Sequence, residues 1–131
     1  MVGHYPKARE VLECDFSGFR VPEMVKSRPV VIVSCSTARP GLVIVVPLST
    51  TPPETEQPWH HMLSRASQWD KKARWVKCDM LYAVSCRRLS AWKLGGRTPD
   101  GKRKYLRNFF VSERDFAAIQ AAILKALNIG P

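Results

Sequence analysis

No apolar run in this chain of 131 residues approaches the roughly 18 that a membrane-spanning helix needs. The longest, Leu42 to Leu48, has the length of a strand. The first 13 residues are charged and lack the apolar core of an export signal, so the expected location is the cytoplasm, with no membrane partner. Cysteine is sparse: Cys14, Cys35, Cys78 and Cys86 form no C-x-x-C pair, which removes the strongest zinc signature. Each lies in or beside a strand-like run, where a free thiol acts as a small hydrophobe. No internal repeat is visible.

Acidic residues are scarce in one region. Residues 1–64 hold six basic and six acidic groups, and residues 108–131 hold two of each. Residues 65–107 hold 13 basic and three acidic groups, so the whole net charge of +10 arises there. A positive field this concentrated attracts a polyanion and raises its encounter rate. The plainer alternative is a solvated surface kept soluble by charge.

What is present describes one folded domain over 1–131. Apolar residues make up 45%, enough for a core and too many for a disordered chain. Val11 to Phe16 alternates, with Leu12, Cys14 and Phe16 on one face, as a half-buried strand does. Pro29 to Ser34 and Leu42 to Leu48 are β-branched runs, read as strands buried on both faces, with Arg39-Pro-Gly41 as the turn of a hairpin over 30–48. Residues 50–58 hold three prolines and two glutamates and are expected to form a loop. Trp59 to Leu63 and Trp75 to Met80 are short strand candidates, with Arg65 to Arg74 a mobile connection between them. Tyr82 to Leu89 holds one more strand or a turn of helix. Gly95 to Lys104 reads as a basic, glycine-rich loop. Ser112 opens a helix over about 113–127, with Asp115 reaching back as its capping partner. Phe116, Ile119, Ile123 and Leu127 form its apolar face, and Asn128 with Gly130-Pro131 stops it. The expectation is a mostly β fold with α, a small bent barrel of five to seven short strands closed by a C-terminal helix.

Three blocks of residues resemble the MazF/PemK family of toxins. They are Arg9-Glu-Val-Leu-Glu-Cys-Asp-Phe16, Lys26-Ser-Arg-Pro-Val-Val-Ile-Val-Ser34 and Leu42-Val-Ile-Val-Val-Pro-Leu-Ser-Thr50. Weaker echoes are Pro58-Trp-His60, and Lys77-Cys-Asp-Met-Leu81 running on to Arg87-Arg-Leu89. The resemblance implies an SH3-like barrel, usually a homodimer. It also implies an endoribonuclease that cuts single-stranded RNA and is neutralised by a cognate antitoxin. The chain departs from the family at Met80 and Tyr82, where glutamine and arginine are usual.

RNA can be cut with neither metal nor cofactor if its own 2′-hydroxyl attacks the adjacent phosphate. The protein must then stabilise negative charge, accept a proton and return one. Arginine suits the first task, because its planar fork grips two phosphate oxygens and keeps its charge. Arg28 is the candidate, held at a strand entry by Pro29. The family match places the site hydroxyl at Ser49, with Thr50 as a possible substitute. The base is open between Glu23, in the loop before Arg28, and His60, whose ordinary titration lies near neutral pH. Lys26, Lys77, Arg87, Lys102 and Arg103 are the candidate RNA contacts. The plainer readings are an Arg28 ion pair with Asp15 or Glu23, and Ser49-Thr50 simply ending a strand. A catalytically impaired module that binds RNA, DNA or antitoxin, and a purely partner-binding domain, are the competing functions.

Overall fold

A computed structural model describes residues 2–130 of the chain. The elements follow the expected hydrophobic periods. They are β1 (Val11–Cys14), β2 (Arg28–Ser34), β3 (Leu42–Ser49), β4 (His60–Met62), β5 (Trp75–Lys77), β6 (Tyr82–Ser85), β7 (Leu89–Ser90), β8 (Lys93–Arg97), β9 (Arg103–Tyr105) and α1 (Glu113–Ala126). The first seven strands form one antiparallel sheet in the order β4-β5-β3-β2-β1-β7, with β6 also paired to β3. β3 is the pivot: Leu42 to Val45 pair with β6, whereas Leu48 and Ser49 pair with β5. One strand thereby feeds two neighbours on the same flank, and the sheet bends into the small barrel.

The β-branched runs exist because both faces of the central strands are covered. On β2, Val30 and Ile32 enter a cluster with Leu12, Cys14, Phe16, Val43, Val45, Val84 and Leu89. The alternate residue Val31 enters the other cluster, with Val46, Leu48, Val76, Val111 and the helix residues Ile119, Ala122 and Ile123. Burying each such side chain fully stabilises the fold by about 1.5–3 kcal/mol.

Several local expectations change. Gly95 to Lys104 is not a loop; it forms the β8–β9 ribbon, with Arg97 opposite Arg103. Its turn closes because the Thr98 amide donates to the Lys102 carbonyl at 2.8 Å and Gly101 takes the positive φ of 84° that glycine tolerates. Residues 65–74 are tied down rather than loose. A 3-10 turn spans Arg65–Ser67, and Arg74 is buried. Its guanidinium lies 3.8 Å from the Trp69 ring centroid and grips Asp70 through two bonds of 2.7 and 2.9 Å. Tyr82 to Leu89 contains both a strand and a 3-10 turn, Cys86–Arg88. β5 ends at Lys77, short of Met80.

Ser112 caps α1 as expected, its hydroxyl accepting from the Asp115 amide at 3.1 Å. The Asp115 carboxylate does not close a capping box with the Ser112 amide, which donates to the Ser67 hydroxyl instead. It turns inward and accepts from Ser64, Ser67, Ser112 and His61, welding the helix start to β4 and the turn after it. Burial alone raises this carboxyl, but the hydrogen bonds outweigh it and hold Asp115 far below the usual carboxylate range. Leu127, expected on the buried face, is half exposed, because the helix has ended at Ala126. Asn128 takes a left-handed φ of 57° there; Pro131, one of the expected stop signals, lies outside the described residues.

Candidate functional site

β2 and β3 meet in antiparallel register, with Val30 opposite Pro47 and Val31 opposite Val46. Carried two residues further, that register sets Arg28 across from Ser49, on one face of the sheet and at one end of both strands. The row continues on either side. Cys14 lies opposite Arg28 on β1, Trp75 opposite Ser49 on β5, and Met62 opposite Trp75 on β4.

Arg28 is half-buried, and its Nε is a buried donor with no hydrogen-bond partner among the described residues. It pairs with neither Asp15 nor Glu23. Asp15 accepts from the Ser17 amide, and Glu23 accepts from the Arg20 amide at 2.7 Å through one oxygen. An unpaired buried donor costs roughly 1–3 kcal/mol. An anion accepting from it would recover that cost.

Ser49 is buried, at 7% exposure. Its hydroxyl accepts from the Thr51 amide at 3.1 Å and donates at 3.5 Å to the Thr51 carbonyl. The second contact is long for a hydroxyl donor, so the proton is weakly held. Ser49 therefore both ends its strand in a turn and keeps a donor to offer. Thr50 is exposed.

The two candidate bases differ in placement. Glu23 is exposed in the loop between β1 and β2, and its second carboxylate oxygen makes no hydrogen bond among the described residues. That loop is held from below. The Met24 amide donates to the Tyr82 hydroxyl, and Phe16, Phe19 and Tyr82 pack as a triad with centroids 5.3–5.4 Å apart. Burial pushes the Tyr82 phenol above its ordinary value. His60 lies on β4, three strands from Arg28, or about 14 Å along a flat sheet. Its Nδ1 accepts from the Gln57 amide at 3.0 Å. In the neutral ring the proton then sits on Nε2, which leaves no free lone pair.

Of the candidate RNA contacts, Lys26 precedes Arg28 and is exposed. Lys77 pairs across strands with His60. Arg87 is exposed on the 3-10 turn before β7, and Lys102 and Arg103 lie on the ribbon, apart from this row. Nothing in the local sequence singles out Trp75 among the four tryptophans. Only the β3–β5 register puts it next to Ser49. A cavity of about 660 Å³ lies elsewhere, between the N-terminal segment, β7 and the ribbon.

Residues 7–127 match the family model of the PemK-like, MazF-like toxin of type II toxin–antitoxin systems. The chain belongs to this family. An uncharacterised protein of Haemophilus influenzae is 30% identical over 142 residues, covering 95% of this chain and 92% of its own. The YifN protein of Escherichia coli K12 is 32% identical, covering 94% and 92%. Among solved structures, a mycobacterial endoribonuclease bound to its cognate antitoxin superposes with a TM-score of 0.66 at 21% identity, covering 97% of this chain and 99% of that one. MazF of Deinococcus radiodurans superposes with a TM-score of 0.69 at 14% identity, covering 96% and 99%. The fold of this MazF-like toxin is thus the MazF barrel.

Proposed function

We propose that this MazF-like toxin is a metal-independent endoribonuclease that cuts single-stranded RNA, acts as a homodimer in the cytoplasm and is silenced by a cognate antitoxin. One observation carries the reading. Among the described residues the Arg28 Nε is buried without a partner, at the strand end whose cross-strand neighbour is Ser49.

The chemistry follows from that pair. A backbone phosphate accepts from the Arg28 guanidinium and from the Ser49 hydroxyl, in place of the long contact to Thr51. Both donors gain strength as charge builds on the phosphorane, so they favour the transition state over the bound substrate. The free oxygen of Glu23 takes the proton from the 2′-hydroxyl. The 2′-oxygen bonds to phosphorus, the bond to the 5′-oxygen breaks, and the leaving oxygen takes a proton from water. The products are a 2′,3′-cyclic phosphate and a 5′-hydroxyl. Lys26 and Lys77 neutralise flanking phosphates, and Trp75 offers a face for an unpaired base.

The test is cleavage of one single-stranded RNA in EDTA, with the new ends sequenced. Wild type cuts and leaves cyclic phosphate ends. Arg28→Ala loses on the order of 10²- to 10³-fold in rate. A requirement for added Mg²⁺ overturns the mechanism. The rival reading, a binding module without catalysis, is favoured by Tyr82, whose hydroxyl is spent on Met24 where the family usually carries arginine. It predicts that RNA is retained but never cut.

A further inference from the structure

The β8–β9 ribbon projects a dense set of cations. Lys93, Arg97, Lys102, Arg103 and Lys104 lie on it, Arg107 follows it, and all are exposed. Among the described residues, only Lys102 has an acid within ion-pairing distance, Asp100 at 3.8 Å. The ribbon is not a free tail. Trp92 and Leu94 at one end and Leu106 at the other pack into the helix-side core, and the Leu106 amide donates to the Trp92 carbonyl at 2.9 Å. Where it leaves the barrel lies the cleft of about 660 Å³, whose walls include His4, Lys93, Tyr105, Arg107 and Asn108. On its floor the buried Glu10 is already bound by His4 at 2.6 Å and by the Lys7 amide. Tyr105 is 38% exposed, and the Arg107 guanidinium stacks 5.3 Å from its ring centroid. The cleft opens beside β7, three strands away from β3 and Ser49.

We propose that the ribbon and this cleft form a second RNA site, which grips the single strand outside the cleavage site and seats one unstacked base against Tyr105. The inference rests on the reading of the chain as an RNA-cutting toxin and adds where the rest of the substrate goes. Unpaired cations spaced along a two-stranded ribbon follow a phosphate backbone. An exposed ring beside a guanidinium, in a cleft of nucleotide size, suits a base, since bases stack on aromatics whatever their sequence. An acidic peptide would use the cations but leave the ring and the polar cleft without a role. Duplex RNA would keep its bases stacked and out of the cleft.

The experiment compares two RNAs. One is just long enough to fill the cleavage site, and the other carries a single-stranded tail. Binding is measured in an Arg28→Ala background so that neither is consumed, and cleavage is measured with Arg28 intact. Lys93→Ala with Arg107→Ala, and separately Tyr105→Ala, should weaken the tailed RNA roughly tenfold or more and leave the short RNA unchanged in both Kd and cleavage. The double variant should also lower the salt slope by about 1.4, or 0.7 for each lost phosphate contact. Tyr105→Phe keeps the ring and should keep the affinity, which separates stacking from misfolding. Equal losses on both RNAs, or no loss on either, overturn the proposal. So does a polyglutamate peptide that binds through these residues while tailed RNA does not. Because binding is read apart from cutting, a chain that never cuts RNA yet shows the tail dependence would sink the nuclease and leave this site standing.

Discussion

The Tyr82 hydroxyl accepts a hydrogen bond from the Met24 amide at 2.9 Å, across 58 residues of sequence. It is the tether that fixes the loop carrying Glu23 onto the barrel. Tyr82→Phe removes the acceptor and keeps the ring in its triad with Phe16 and Phe19. Stability should fall by about 1 kcal/mol. The Met24 amide should exchange with solvent much faster, while amides of β2 and β3 keep their protection. RNA cleavage should drop although the fold is intact. Unchanged exchange at Met24 would show that the loop is held by its aromatic packing alone.

Asp115 should contribute most to the protein's acid sensitivity. Its folded pKa lies below the unfolded value of about 4, so the unfolded chain binds the extra proton. The stabilisation is complete above about pH 4 and is lost as pH falls through and below that value. Asp115→Asn should destabilise the protein at neutral pH by about 2–3 kcal/mol, since bonds to a charged acceptor are the stronger kind. It should also flatten the acid limb of a plot of melting temperature against pH. A limb as steep as that of wild type assigns the acid response to another carboxylate.

Thiol reactivity should divide the four cysteines. Burial pushes Cys14 and Cys78 up to about 12, so neither supplies thiolate at neutral pH. Cys35 and Cys86 are half-buried at the surface of the core. A disulfide reagent at pH 8 should modify at most these two quickly, and the other pair only as fast as the protein unfolds. Rapid labelling of four thiols would contradict the burial of Cys14 and Cys78.

Arg74 should not tolerate lysine. It stacks on Trp69 and holds Asp70 by a fork of two bonds, and lysine can reproduce neither contact. Hydrogen bonding from Arg74 holds the Asp70 carboxyl below its ordinary value. Asp70 is partly exposed, which screens the pair, so the expected cost of Arg74→Lys is about 1–2 kcal/mol by chemical denaturation. A cost below a few tenths of a kcal/mol would mean that the 65–74 connection is loose after all.

The barrel was legible in the chain because Val30 to Val33 and Val43 to Val46 are β-branched without interruption, and strands covered on both faces favour such runs. The ribbon was not, because Gly95, Gly96 and Gly101 mask its pairing and its side chains bury almost nothing. Arg28 and Ser49 could be named from the family resemblance, but their shared face needed the β2–β3 register. The position of His60 depended on strand order, which local sequence does not encode. The Asp115 network was hidden for a similar reason. Its partners Ser64 and Ser67 lie about fifty residues away and look like ordinary loop polar groups.

Since β3 is clasped by β2 on one flank and by β5 and β6 on the other, the seat of Ser49 draws only on Thr51, which its hydroxyl bonds, from the segment that leaves it. Residues 52–56, between Thr51 and Gln57, whose amide donates to His60, can therefore be shortened, lengthened or exchanged with a relative's as a cassette. Such swaps should leave Arg28 and Ser49 in register. The strand frame and the connection leaving it are thus free to change separately.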